Sequence, residues 1–248
     1  MIGNKKILAV VTARAGSKGI PNKNYRDLLG KPLFMWSVEA GLQSKYVDMT
    51  ILSSNCDKCI SLLDKYRQEI GTGHNVGWLL RPDEISGDLS KNEEALIFTL
   101  ESLSSSKEPL DYDIVVNLQP TSPCRLNGLL DRCIEEYHEG KYDSLLTATK
   151  DTPFIWQKIN GEWRYTVDRH YYCDRKMRQE FEESDFIYRD NGKLYITKSK
   201  ILLESECRIG DNPCVVETEG INSLQIDEEF DFQLIENMVR AKGLTSLI

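Results

Sequence analysis

The stretch "KILAVVTARAGSKGIPNKN" at residues 6–24 decides the expected fold, because a buried strand runs directly into a basic loop. Apolar residues dominate positions 7–13, which is typical of a strand covered on both faces. The loop that follows carries Arg14, Lys18 and Lys23, with two glycines and a proline among them. The chain has 31 Lys+Arg against 39 Asp+Glu, a net charge of −8. An acidic chain therefore concentrates positive charge directly after its first strand.

Short apolar runs alternate with helical patterns along the rest of the chain. Further strands are predicted at 49–54, 76–80, 113–119, 144–149, 193–197 and 214–218, and helices at 31–45, 57–70, 91–105, 129–140 and 227–243. This alternation predicts an α/β fold with a mostly parallel sheet and helices on both faces. Ligands of such sheets bind beyond the carboxyl ends of the strands, which is where the basic loop begins.

The composition changes between residues 150 and 190, where aromatic and charged residues are mixed. An Asn-Gly pair at 160–161 predicts a hairpin turn there. We interpret 150–190 as a small lobe inserted into a single domain that spans 1–248.

Composition excludes several classes of protein. The net charge of −8 argues against a nucleic-acid binder, and the apolar run at 7–13 is too short to cross a membrane. Seven cysteines form no repeated framework, so reduced thiols and a cytoplasmic location are expected. Cys56 and Cys59 have redox or zinc spacing, but no second pair follows them, and we interpret Cys59 as a buried helix residue.

The basic loop has the parts needed to hold a polyphosphate, since flexible glycine backbone, the Ser17 hydroxyl and three cations lie within it. It matches neither the Walker A sequence nor the glycine fingerprint of dinucleotide-binding proteins. The alternative is a solvated basic loop without a ligand.

Polar residues also follow other predicted strands, in "LLRPDEISGD" (79–88), "NLQPTSPCR" (117–125), "RDNGKLYI" (189–196) and "LQIDEEFD" (224–231). Gln119 offers a donor and an acceptor to one ligand, and the carboxylates of the last stretch could bind a hard cation. The alternatives are a proline-stiffened connector with Arg125 in solvent, and acidic residues that only complement a helix dipole or cap a helix.

Taken in order, "RAGSKGIPNKN", "RPDEISGD", "NLQPTSPCR", "RDNGKLYI" and "IDEEFD" resemble the acylneuraminate cytidylyltransferase family, the CMP-sialic acid synthetases. The resemblance runs from about residue 6 to the final helix. It implies a Rossmann-like nucleotidyltransferase fold and a homodimer in which the lobe at 150–190 makes the dimer contact and meets the partner's site. It also implies Mg²⁺-dependent conversion of CTP and a nine-carbon 2-keto acid sugar into a CMP-sugar and pyrophosphate.

The resemblance also implies roles for individual residues. Nucleotide binding is implied for Arg14, Ser17, Lys18, Lys23, Asn24, Arg81 and Asn92. Substrate binding is implied for Gln119, Arg178 and Gln179, with Arg178 meeting the sugar carboxylate. The implied catalytic residues are Arg14, Lys23 and Asp227, with Asp227 as the Mg²⁺ ligand.

The sequence departs from the family pattern at three places, one of which is the region near Phe154–Trp156, where no residue is assigned to the substrate lysine of some sialic-acid members. Gln225 stands where the family often has a second aspartate, which leaves one or two metal ions open, and Asn92 aligns with a base-contacting serine. Two functional alternatives also stay open. One is transfer to another acid sugar, of legionaminic, pseudaminic or deoxy-octulosonic type. The other is a nucleotide-binding protein without turnover.

Overall fold

A computed structural model describes residues 2–71, 73–106, 110–126, 128–165 and 176–243. The elements in chain order are β1 (Ile7–Thr12), β2 (Asp27–Leu28), β3 (Lys31–Pro32), α1 (Leu33–Gln43), β4 (Met49–Ser54), α2 (Asp57–Ile70), β5 (Val76–Leu80), α3 (Asn92–Ser104), β6 (Ile114–Leu118), α4 (Leu129–Glu139), β7 (Ser144–Asp151), β8 (Trp156–Ile159), β9 (Glu162–Tyr165), β10 (Ile187–Lys198), α5 (Ser199–Ser205), β11 (Pro213–Glu217) and α6 (Glu229–Ala241).

Seven strands form one sheet in the order β11-β7-β10-β6-β1-β4-β5. β1 pairs in parallel with β4 and with β6, β4 with β5, and β7 with β11. The predicted mostly parallel sheet is therefore confirmed. The exception is β10, which is antiparallel to both of its neighbours, because its chain enters from the inserted lobe at the carboxyl edge of the sheet.

Helices cover both faces of the sheet, as predicted. Along β1, Ile7, Ala9 and Val11 pack in a core with α1, α2 and α4. Leu8 and Val10 point the other way and pack with α3 and α5. This alternation explains why β1 reads as a continuous apolar run, since both of its faces are buried. Full burial of each large aliphatic side chain contributes roughly 1.5–3 kcal/mol.

A third apolar cluster joins the loops at the carboxyl edge. Ile20 of the basic loop packs in it with Cys124, Ile226 and Phe232 of α6. This shared apolar packing holds together three segments: the loop after β1, the loop after β6 and the segment before α6. The polar residues that these loops carry are positioned by that cluster.

The lobe contains the predicted hairpin, formed by β8 and β9. Asn160 and Gly161 connect the strands with φ of 52° and 87°, the left-handed geometry of the favoured two-residue hairpin turn. Trp163 and Met177 of the lobe are each 65% exposed. Residues 166–175 of the predicted lobe lie outside the described part of the chain.

The interpretation of Cys59 as a buried helix residue is confirmed, because its side chain on α2 is fully enclosed. The described cysteines are all free, and no group of three or more potential metal-binding residues occurs within the described ranges. Burial raises the pKa of the Cys59 thiol well above its ordinary range, so this thiol is unreactive. In the same part of the chain, no helix is both long and apolar enough to cross a membrane.

Candidate active site

A cavity of about 440 Å³ lies beyond the carboxyl ends of β1, β5 and β6. It brings together all but two of the predicted site residues: Arg14, Ser17, Lys18, Lys23, Asn24, Arg81, Asn92, Gln119 and Asp227. Four separate segments contribute them, and the sheet topology makes these segments neighbours.

Arg178 and Gln179 are the two predicted residues that this cavity does not include. Arg178 is exposed and lines a different cleft, of about 480 Å³, with Thr149, Phe186 and Thr218 among its walls. Gln179 follows it in a short 3-10 helix and is also exposed. Within one chain, the residue predicted to meet the sugar carboxylate therefore lines another cleft.

The cations of the basic loop face a carboxylate across the cavity. Arg14 Nη1 lies 2.8 Å from Asp88 Oδ1, and Lys18 Nζ lies 2.7 Å from Asp88 Oδ2. Hydrogen bonds from Lys18, and to a lesser extent from Arg14, lower the pKa of Asp88, so its carboxylate is ionised. Exposed ion pairs of this kind contribute little to stability, and phosphate oxygens can take the place of Asp88.

Lys23 joins the basic loop to the segment before α6. Its Nζ donates to the carbonyl of Ile226 at 2.8 Å and lies 3.8 Å from Asp227 Oδ1. Burial lowers the pKa of Lys23, while Asp227 opposes that shift. A Cβ at Gly19 would lie 2.5 Å from the Asp227 carbonyl oxygen, so glycine permits this close approach.

The other residues predicted to bind the nucleotide are held by hydrogen bonds. Asn24 Nδ2 donates to the Arg14 carbonyl at 2.9 Å and so fixes the shape of the loop. Arg81 is buried, and its Nε donates to Ser86 Oγ at 2.9 Å. Burial, and to a lesser extent the Arg14 charge, lowers the pKa of Arg81 to about 10, which leaves it charged at neutral pH. Asn92 accepts a hydrogen bond of 3.2 Å from the Thr12 hydroxyl.

Two side-chain amides converge over Gly192 of β10. A Cβ there would collide with the amide of Gln225 and lie 3.0 Å from Gln119 Oε1. Gly192 has a φ of +61°, which also favours glycine. The side chains of Gln225 and Gln119 therefore both lie beside Gly192.

Two buried cations, Arg125 and Lys193, lie behind the loop that carries Gln119; Arg125 is 8% exposed and Lys193 is fully buried. Arg125 Nη2 donates to the carbonyls of Gln119 and Lys193, each at 2.8 Å, and its Nη1 donates to Ser37 Oγ at 3.0 Å. Lys193 Nζ donates to the Cys124 carbonyl at 2.6 Å. The expectation of a connector with Arg125 in solvent is wrong, because these acceptors draw it inward.

Within the described residues, no carboxylate lies within ion-pairing distance of either buried cation. Burial lowers the pKa of Arg125 to about 9, and burial with the Arg125 charge lowers the pKa of Lys193 to about 7. Sequence patterns gave no signal for Lys193, since a lysine between strand residues reads as a solvent-facing position.

Asp227 projects its carboxylate from the segment before α6, and its side chain is 70% exposed. The helix is capped by Glu228, and Asp231 Oδ2 accepts from the backbone N–H groups of Asp227 and Glu228 at 3.0 and 2.8 Å. The alternative that Asp227 is the helix cap is therefore wrong. A single carboxylate fits Mg²⁺ that completes its shell with phosphate oxygens and water.

The cavity also has lining residues that were not predicted to form the site. Lys91, directly before α3, adds a cation, and Thr12, Ser90 and Thr121 add hydroxyls. Lys91 opens the stretch predicted as a helix at 91–105, and only the path of the chain after β5 shows that it reaches the cavity.

The fold and the cavity can now be compared with those of known proteins. The structure is similar to CMP:2-keto-3-deoxy-manno-octonic acid synthetase complexed with CTP, with a TM-score of 0.65, 13% identity and coverage of 96% of this chain and 99% of that one. It is also similar to 4-diphosphocytidyl-2C-methyl-D-erythritol synthase from Anaerococcus prevotii, with a TM-score of 0.63, 17% identity and coverage of 95% and 96%. The fold is thus the predicted Rossmann-like fold of nucleotidyltransferases. Residues 8–198 match the family model described as cytidylyltransferase, and the chain belongs to that family.

Curated relatives agree with the family. The chain is 26% identical over 240 residues to N-acylneuraminate cytidylyltransferase of Escherichia coli, covering 96% of this chain and 53% of that protein, so it spans about half of that relative. It is 28% identical to CMP-N,N'-diacetyllegionaminic acid synthase of Legionella pneumophila, covering 94% and 96%. It is also 28% identical to pseudaminic acid cytidylyltransferase of Campylobacter jejuni, covering 81% and 82%.

Proposed function

We propose that the protein transfers CMP from CTP to the 2-hydroxyl of a nine-carbon 2-keto acid sugar of sialic acid type and releases pyrophosphate. The observation that carries the proposal is the cavity at the carboxyl edge. There the basic loop, the Arg81 and Asn92 side and the Gln119 amide face one space. The family match and the names of the relatives support cytidylyl transfer to an acid sugar.

In this reaction the sugar oxygen attacks the α-phosphorus of CTP. The bond from that phosphorus to the bridging oxygen breaks, pyrophosphate leaves with the electron pair, and the hydroxyl proton passes to water. In this proposal Arg14, Lys18 and Lys23, which line the cavity, bind the triphosphate and stabilise the charge that develops on the leaving group. Catalysis then rests on positioning and charge stabilisation.

Asp227 is the residue proposed to hold Mg²⁺, which neutralises phosphate charge when bound. Gln225, a neutral amide, stands in place of the second carboxylate, and its side chain lies beside Gly192 together with that of Gln119. Lys23, 3.8 Å from Asp227, keeps the carboxylate next to the triphosphate region.

We propose a cytoplasmic homodimer in which the lobe supplies Arg178 and Gln179 to the partner's cavity. Two observations support this arrangement. Arg178 lines a cleft apart from its own chain's cavity, and the lobe exposes the apolar side chains of Trp163 and Met177. A guanidinium is suited to paired hydrogen bonds with the sugar carboxylate.

The reaction is tested by measuring pyrophosphate release from CTP with a panel of acid sugars of sialic, legionaminic, pseudaminic and deoxy-octulosonic type. The expected result is release that depends on both CTP and a nine-carbon sugar. Release with the octulosonic sugar alone would reassign the acceptor. CTP binding without release in any mixture would show a nucleotide-binding protein without turnover.

The metal assignment is tested by Mg²⁺ titration of Asp227→Asn and Gln225→Asp. Asp227→Asn is expected to lose nearly all activity with an unchanged melting temperature. Gln225→Asp is expected to stay active and to need less Mg²⁺ for half-maximal rate, because a carboxylate binds Mg²⁺ better than an amide. Full Mg²⁺-dependent activity in Asp227→Asn would reject Asp227 as the ligand.

A further inference from the structure

A second cleft lies at the opposite edge of the sheet, where the parallel strands begin. Its walls come from the turn at Gly3, the segment before β6, the end of α4, the turn at Lys141 and the start of α5. Its volume is about 860 Å³, larger than the 440 Å³ of the active-site cavity. The length of the strands separates the two openings, so a ligand in this cleft does not contact the nucleotide site.

Positive charge collects around this cleft although the chain is acidic overall. Lys5 and Lys200 are paired, with Asp113 at 2.8 Å and Glu204 at 3.7 Å. Lys141 and Lys198 are exposed, and among the described residues no carboxylate lies within 4.0 Å of either. Two cations without an internal partner at the mouth of a cleft favour an anionic ligand.

Two enclosed hydroxyls belong to residues in the wall of the same cleft. Tyr137 and Ser199 are 4% and 7% exposed, and neither hydroxyl has a hydrogen-bond partner among the described residues. Enclosed polar groups are almost always hydrogen-bonded in folded proteins, because leaving one unpaired costs stability. Two such hydroxyls lie in one wall, and because their oxygens are enclosed the wall must open slightly before an acceptor in the cleft can reach them.

The remaining wall is apolar and partly aromatic. Tyr112 and Tyr142 present ring surface, and Leu203 is 45% exposed. Gly3 has a φ of +57°, and a Cβ there would lie 2.5 Å from the His138 ring, so the N-terminal turn closes tightly over α4. An inorganic anion would leave this apolar wall exposed, and a neutral apolar molecule would leave the lysines unpaired.

We propose that this cleft is a second ligand site, which binds an organic anion with an apolar body. The anionic group lies near Lys141 and Lys198, the body lies against Tyr112, Tyr142 and Leu203, and an acceptor atom reaches the hydroxyls in the wall. The site is independent of the proposed cytidylyl transfer, because none of its residues lines the active-site cavity.

The test uses anilinonaphthalene sulfonate, a fluorescent aromatic anion, and phenylnaphthylamine, its neutral counterpart. We expect one dye molecule to bind per folded chain, with the sulfonate bound at least about 10-fold more tightly than the neutral analogue. The double variant Lys141→Asn, Lys198→Gln should bind the sulfonate at least about 10-fold more weakly and leave the neutral analogue unchanged. Asparagine tolerates the left-handed φ of Lys141.

Two controls separate this cleft from other dye sites. Lys65→Gln removes an exposed lysine of α2, and Arg14→Ala alters the active site; both should bind the sulfonate as the wild type does. Tyr137→Phe should leave the melting temperature of the empty protein unchanged or higher, because it removes an unpaired hydroxyl. The proposal would be overturned if the wild type did not bind the sulfonate, if the double lysine variant bound it as tightly as the wild type, or if Arg14→Ala lost binding. A clear fall in the melting temperature of Tyr137→Phe would also overturn it.

Discussion

Two pairs of cations lie near the loops at the carboxyl edge of the sheet. One pair is exposed in the cavity, and the other is buried behind the loop that carries Gln119. Arg14 and Lys18 stand at the surface of the cavity and share the carboxylate of Asp88. Arg125 and Lys193 lie behind the loop that carries Gln119, and their acceptors are carbonyls and a hydroxyl. The first pair has a partner that an incoming anion can replace, and the second pair has partners that cannot leave.

The difference separates binding from positioning. An exposed ion pair is easily exchanged because solvent and salt weaken it. A buried cation that donates to backbone carbonyls fixes those carbonyls, because leaving them unpaired is costly. We therefore expect changes in the Arg14 pair to alter turnover, and changes in the Arg125 pair to alter stability and its dependence on pH.

The largest effect is expected for Arg14→Ala and Lys23→Ala, each of which should lower kcat/KM by roughly 100-fold or more, as for removal of a preorganised charge contact. The melting temperature of Arg14→Ala should stay within a few degrees of the wild type, because its ion pair is exposed. Steady-state kinetics with thermal melts measure both quantities, with Lys65→Ala as the matched control on α2. Near-normal kinetics in both variants would remove the basic loop from the active site.

An intermediate effect is expected for Asp88→Asn. This change removes the carboxylate that competes with phosphate for Arg14 and Lys18, so CTP should bind about 3- to 10-fold more tightly at low salt. Calorimetric titration at two salt concentrations measures it, and the gain should shrink as salt rises. Weaker CTP binding in Asp88→Asn would mean that Asp88 holds the loop in its working shape.

An effect on stability rather than on activity is expected for Lys193→Met. The folded-state pKa of Lys193 is lowered to about 7 from its ordinary 10.5, so the unfolded chain binds more protons between these values. Wild-type stability should therefore rise with pH across that window, by at most about 1.4 kcal/mol per pH unit from this group. Below pH 7 the full penalty of burying the charge remains.

In Lys193→Met that rise should be missing, so the variant gains most relative to the wild type at low pH. Denaturant unfolding at pH 6.5, 7.5 and 8.5 measures the difference. Lys198→Met, which changes an exposed lysine of the same strand, is the control and should parallel the wild type. If the free energy of unfolding of Lys193→Met changes with pH as that of the wild type does, Lys193 stays protonated in the folded protein across this pH range.

The sequence predicts most of the fold because β1, β4 and β6 are buried on both faces and read as apolar runs. The direction of β10 was not predictable, because an apolar pattern has the same form in parallel and antiparallel strands. Its length was also underestimated. The part from Ile187 to Asn191 is polar and pairs only with β7, so it has no apolar signal.

The site likewise contains residues that the sequence predicts and residues that it does not. Arg14, Lys23 and Gln119 were predictable, because each follows a predicted strand at the ligand edge. The buried position of Arg125 was not predicted and Lys193 was missed, because charged residues in loops and strands indicate solvent unless their acceptors are known. Arg178 lines a cleft apart from the cavity, and in the homodimer that we propose its place relative to a cavity depends on a second chain, which no single-chain pattern describes.

The central claim is that the cavity at the carboxyl edge, and not the cleft at the opposite edge, holds the triphosphate of CTP. Calorimetric titration of CTP into two matched double variants tests it directly: Arg14→Ala with Lys18→Ala, and Lys141→Asn with Lys198→Gln. Each pair removes two positive charges, so any general electrostatic effect is the same. The account predicts that the first variant loses CTP binding by roughly 100-fold or more, while the second binds CTP as the wild type does. Equal losses in both variants, or a loss only in the second, would contradict it.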